Sequence, residues 1–159
     1  MDPTLERIIA RWKRSGIEPE PGVSNESIDH FKTKHGVRLP RDFRRLYKTL
    51  DGLAGIYDDD FFTFYELSDV ESLNSAWPDG RFGSVGPQEY FCFADHSSRS
   101  LTFAFRLTNG IDTETPIATI FADGGKALIR NQWNSLDAFL IEFARNPFDT
   151  LIFPEETLG

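Results

Sequence analysis

The residue types that could do chemistry are few in this chain, and their spacing suits none of the familiar reactions. His30 and His35 stand five residues apart. Two zinc ligands on one helix face need the four-residue step of His-Glu-x-x-His, and His96 lies far along the sequence. These histidines read as surface or capping residues, and no metal is expected. The single cysteine, Cys92, lies between Phe91 and Phe93. That setting predicts a buried, inert thiol, because a reactive thiolate needs an electropositive and partly exposed site. Gly124-Gly125-Lys126 has the end of a phosphate loop, but Ile120 stands where the Walker pattern has its first glycine and Ala127 replaces its Ser or Thr. Gly80, Gly83 and Gly86 do not follow the dinucleotide fingerprint, and no strand leads directly into them. The sequence therefore predicts no catalytic residue and no cofactor.

The densest charge is Asp58-Asp59-Asp60. A regular calcium loop needs glycine at its sixth position, where Thr63 stands. A run of charge is usually a solvated turn. The functional alternative is an acidic patch flanked by Tyr57 and Phe61, in which charge steers a basic partner and aromatics anchor it. Trp77, Arg81 and Phe82 form a second candidate, although a Trp packed over the core is an equal reading. With Asp79 and Glu89 they place the expected recognition region between Tyr57 and Glu89.

The chain has 159 residues, with 25 acidic and 17 basic, and a formal charge of −8. An acidic domain repels nucleic-acid phosphates, so direct DNA or RNA binding is not expected. The 15 phenylalanines predict an aromatic-packed core rather than a disordered chain. One cysteine excludes an internal disulfide, and no apolar run has the ~18 residues of a membrane span. No apolar signal-peptide core follows Met1, so the expectation is a soluble cytoplasmic protein forming one domain over residues 1–159.

The elements follow from capping and periodicity. Asp2-Pro3 starts a first helix with Leu5, Ile8, Ile9 and Trp12 on one face, ended by Gly16. Ser24 caps a second helix, stopped by Gly36. Pro40 opens a third, with Phe43, Leu46, Tyr47 and Leu50 as a buried stripe and Asp51-Gly52 as its end. Ile56-Tyr57 and Phe61 to Tyr65 read as strands, Ser68 as the cap of a short helix through Val70 and Leu73, and residues 75–88 as a long loop. Strands are expected at Tyr90–Ala94, Leu101–Leu107, Pro116–Phe121 and Lys126–Arg130, the last two joined through Asp123-Gly124-Gly125. A closing helix starts near Ser135, with Leu136, Phe139, Leu140 and Phe143 inward, and ends at Asn146-Pro147. The predicted fold is α+β: N-terminal helices and a closing C-terminal helix on a mostly antiparallel sheet, with a core over about 1–145 and a tail over 146–159.

The order of these signals resembles the SUKH superfamily, which includes fungal regulators of cell-wall synthesis and bacterial immunity proteins. The resemblance rests on Leu39-Pro40, Asp42-Phe43, Leu46-Tyr47, Leu50 and Asp51-Gly52, preceded by Ile28-Asp29, Phe31 and Gly36-Val37. Phe64-Tyr65-Glu66-Leu67 with Val70, then Phe91 to Asp95, the 101–107 strand, Pro116-Ile117 and Ser135 to Leu140 continue it over roughly residues 1–145. Family members often carry a strongly apolar residue or Trp near the last strand, whereas Trp133 here lies just ahead of the helix.

The resemblance implies a non-enzymatic protein of a polymorphic toxin system, an immunity protein that covers the active site of a cognate toxin. A nuclease or other basic effector domain would be a suitable partner. The alternative is a regulatory protein-protein interaction scaffold of the fungal type. An enzyme with an unfamiliar site is a third reading, which a deep pocket with two oppositely shifted titratable groups would support.

Overall fold

A computed structural model describes residues 2–77, 90–107, 114–123 and 126–152. Three helices come first. In α1 (Pro3–Arg14) the Asp2 carboxylate accepts from Thr4 N at 2.7 Å, and Leu5, Ile8 and Trp12 are buried. In α2 (Asn25–His35) Ser24 Oγ accepts from Ser27 N at 3.2 Å, and Gly36 ends the helix in the left-handed conformation. In α3 (Arg41–Thr49) Pro40 sits one position earlier than expected, as the cap. Phe43, Leu46 and Tyr47 are buried in α3, and Leu50 just beyond it.

Gly52 follows with φ +72°, and a Cβ there would stand 2.6 Å from the backbone of Phe64 and Tyr65. Only glycine lets the end of α3 touch the first strand this closely. The contact places the Asp51 carboxylate where it accepts from Leu67 N at 2.7 Å.

The sheet contains β1 (Phe62–Phe64), β2 (Glu71–Ser72), β3 (Tyr90–His96), β4 (Leu101–Arg106), β5 (Ile117–Asp123) and β6 (Lys126–Trp133). All pairs are antiparallel, in the order β1-β3-β4-β5-β6, with β2 also on β3. α4 (Leu73–Ala76) precedes β3, and α5 (Leu136–Arg145) follows β6. The architecture is thus α+β, as the pattern predicts.

Alternation along the strands sends Phe62, Phe64, Phe91, Phe93, Phe103, Phe105 and Trp133 into one core with α1, α3 and α5. Cys92, Ala104, Ala118, Ile120 and Ala127 form a second cluster with Leu73 and Tyr90. Burial pushes the Cys92 thiol up to about 12, as the reading of an inert cysteine requires. A register shift between Cys92 and Ala94 lets Phe93 and Ala94 both join the first core. After this bulge Asp95 meets Tyr57 and Tyr65.

Several local readings need correction. Ile56 and Tyr57 lie in an irregular loop, because the chain turns at Ala54 and Gly55, both with positive φ. The short helix expected from Ser68 is a 3₁₀ turn over Leu67–Asp69. Buried Val70 is extended and breaks it. Ser72 then caps α4, accepting from Ser75 N. The last strand runs to Trp133, so this Trp does stand on it, 5.0 Å from the ring of Phe139. Past Asn146 a further 3₁₀ turn, Pro147–Leu151, packs back on the core through Pro147 and Thr150. The turn at Gly124-Gly125 falls outside the described residues.

Candidate protein-docking edge

Two facing loops carry the strained backbone of the described residues. Among the described residues, the non-glycine positions with positive φ are Ala54, Phe61, Ser97, Ser98 and Arg99. All five fall in the 53–61 loop or the β3–β4 turn. Such backbone persists only where surrounding contacts hold it, and it gathers at functional sites.

Asp58 holds the first loop. It is buried, at 8% exposure. Its Oδ1 accepts from Asp60 N and Phe62 N, each at 2.9 Å, and its Oδ2 accepts from Trp12 Nε1 at 3.1 Å. Burial raises its pKa, against the pull of these donors. Two bonds then tie the loops together: Ser97 N donates to Phe61 O at 2.9 Å, and His96 Nε2 meets Asp60 O at 3.0 Å.

Asp95 holds the second loop. It is 2% exposed and accepts from Tyr57 Oη at 2.8 Å, Tyr65 Oη at 2.5 Å and Arg99 N at 3.2 Å. Burial, and the bond to Asp95, raise both tyrosine pKa values, so both hydroxyls stay protonated and donate. The Arg99 guanidinium reaches Glu71 and Ala76 O, each at 3.3 Å, and lies 5.9 Å from the Tyr65 ring centre. A groove of about 420 Å³ runs between the loops, lined by Tyr57, Tyr65, Asp69, Asp95 and Arg99. The polar groups around Asp95 bond to one another, which suits holding a shape rather than moving a proton. Among the described residues no cluster of His, Cys, Asp or Glu could hold a metal ion.

The structure separates the predicted site residues. Asp59 is exposed, Asp60 and Tyr57 are half-buried, and Phe61 is 62% exposed. Asp58 is a correction: its carboxylate faces inward and is not available to a partner. Trp77 is half-buried against the second cluster, so it packs over the sheet rather than standing free. Asp79, Arg81, Phe82 and Glu89 lie outside the described residues.

Sequence reasoning missed Asp95, Tyr65, Arg99 and the exposed Ile56. One signal for the region was present. Residues 49–80 hold eight carboxylates and no Lys, Arg or His, which equals the whole formal charge of −8. The remaining 17 acidic residues balance the 17 basic ones.

Crowding of these carboxylates has a measurable consequence. Burial raises the Asp51 pKa, and Glu20 and Asp69 add to it; burial also raises Glu66, with Asp51, Asp69 and Glu20 contributing. A carboxyl that binds protons more tightly in the folded chain stabilises fully below its unfolded pKa of about 4. That contribution is lost as pH rises through the higher folded value. Asp51→Asn keeps an oxygen for Leu67 N and removes the charge. It is expected to raise the thermal midpoint at pH 7 and leave it unchanged below pH ~4. Calorimetry at the two pH values checks this, and a lower midpoint at neutral pH would contradict it.

A model of the SMI1 / KNR4 family (SUKH-1) matches residues 22–142, about three quarters of the chain. The chain belongs to this family. The SUKH-1 match runs from just before α2 into α5 and contains both loops of the docking edge, the stripe of α3 and the Asp51-Gly52 turn. It leaves out α1, which the resemblance had included. No individually curated protein matches the chain. None of the described helices is long and apolar enough to cross a membrane.

Proposed function

We propose that this protein is an immunity protein that binds a cognate protein toxin and blocks its active site. The observation that carries this reading is membership of the SMI1/KNR4 family over residues 22–142. The surface supports it. Residues 49–80 hold eight acidic residues and no basic one; on their 53–61 loop Asp59 is exposed and Asp60 half-buried, and the Asp58 carboxylate and Ser97 N hold the backbone of that loop. A toxin with a basic cleft, such as a nuclease, would be drawn to it by charge and would find an ordered surface. The protein acts by binding, without catalysis, in the cytoplasm of the cell it protects.

Co-expression with the C-terminal domain of a candidate toxin, sought among the products of neighbouring genes, tests the reading. A stable complex on size exclusion and restored growth of cells making that domain are expected. A domain that kills regardless and migrates separately would overturn it.

A further inference from the structure

We infer that Ile56 and Phe61 are paired apolar anchors, and that they dock into an apolar pocket of the partner rimmed by Lys and Arg side chains. This rests on the toxin-binding reading above and specifies the contact. Ile56 is 55% exposed and Phe61 is 62% exposed, on one six-residue segment. Scattered single apolar residues on a surface need no explanation. Phe61 differs because it is held outward at a cost. Its φ is +69°, a region that bulky residues avoid.

The contacts that impose this conformation surround it. Phe61 N donates to Asp58 O at 3.0 Å, and Phe61 O accepts from Ser97 N at 2.9 Å. The next amide, Phe62 N, is fixed by the buried Asp58 carboxylate. Ile56 is fixed in the same way: Thr63 Oγ1 donates to its carbonyl at 2.7 Å. The loop therefore presents two apolar side chains on a backbone with little freedom left to lose, which lowers the cost of using them as anchors. Asn or Gly at position 61 would relieve the backbone, and a polar side chain would suit water better. The fold keeps a phenylalanine there instead.

Charge decides which occupant fits. Exposed Asp59 and half-buried Asp60 lie between the two anchors, within the stretch that carries the net charge. His96, the nearest imidazole, is turned inward, with its Nε2 on Asp60 O and its ring 4.6 Å from that of Phe62. A second copy of this chain would bring carboxylate against carboxylate. A basic-rimmed apolar pocket meets both the apolar anchors and the charge.

The test uses the full chain and the purified toxin domain that the co-expression identifies. Phe61→Ala is expected to weaken binding about 30-fold or more, as for an interface hot spot. Asp59→Lys should slow association about tenfold and flatten its salt dependence. Ile141→Ala, on α5 and also 55% exposed, should stay within about twofold, the level expected of a contact outside the hot spot. Phe61→Gly, which relaxes the backbone, should unfold at a midpoint no lower than the unmodified chain yet bind as weakly as Phe61→Ala. Full affinity in the Phe61 and Asp59 variants overturns this surface while the toxin reading stands. Failure of the unmodified chain to bind overturns both.

Discussion

Replacing Phe139 by Ala is expected to cost about 4 kcal/mol of folding stability, the range for a large ring removed from a packed core. The ring is 0% exposed. Its centroid lies 5.0 Å from Trp133, 5.1 Å from Phe103, 5.6 Å from Phe93 and 6.4 Å from Phe64. Those four rings sit on β6, β4, β3 and β1, so one side chain of α5 touches four strands of the sheet. Three of these contacts are edge-on or strongly tilted, with interplanar angles of 80°, 51° and 84°, an arrangement that favours aromatic pairs beyond their buried area. A cavity at this point has rigid walls on the sheet side and cannot collapse cheaply. Urea unfolding should show a lower midpoint with an unchanged slope. Phe148→Ala provides the contrast. That ring is 48% exposed and 6.3 Å from Phe62, so its loss should cost about 1 kcal/mol or less. Similar losses in the two variants would mean that the Phe139 ring does not hold α5 to the sheet in this way.

What the sequence made legible follows from the range of the forces involved. Helix starts and stops depend on residues within one turn, so Asp2, Ser24, Gly36 and Ser135 announce their helices locally. The same holds for the stripe Leu136, Phe139, Leu140 and Phe143, whose spacing alone names the buried face. The docking edge depends on partners far apart in sequence. Asp58, Asp59 and Asp60 are identical in type, and what separates them is a hydrogen bond from Trp12, 46 residues away. Asp95 looks like the polar end of a strand until the tyrosines 30 and 38 residues earlier fold onto it. The misread helix at Ser68 has a related cause. Ser68 has the type of a capping residue, but burial of Val70 in the core imposes extended backbone. The family motif from Leu39 to Gly52 likewise belongs to the scaffold. Its Tyr47 hydroxyl donates to Tyr65 O at 3.0 Å, which ties the helix to the rim of the groove without exposing the helix.

Asp58 links that scaffold to the displayed loop, and Asp58→Ala is expected to cost about 4 kcal/mol. Its raised pKa, taken alone, argues for removing the charge, since burial makes the carboxylate less favourable than it would be in water. The comparison that matters is with three donors left without an acceptor. Trp12 Nε1, Asp60 N and Phe62 N all point at this carboxylate, and each donor stranded out of water costs about 1–3 kcal/mol. Asp58→Asn separates the contributions. An amide oxygen can still accept from the two backbone amides, while its NH₂ group faces the Trp12 donor, so a loss of about 2 kcal/mol is expected from that one mismatch. Trp12→Phe in the Asn background should then add less than it does in the unmodified chain, because the bond it removes is already broken. Hydrogen exchange gives the decisive readout. In Asp58→Asn the amides of Phe61 and Ser97 should exchange faster while those of β4 and β5 keep their protection, since the latch fails before the sheet does. If toxin affinity also falls in this folded variant, by about tenfold, with the Phe61 side chain still present, then the order of the loop contributes to recognition alongside the ring it carries. Unchanged exchange at Phe61 would show that the loop keeps its shape without Asp58, and that the strain at Phe61 is held by the β3–β4 turn alone.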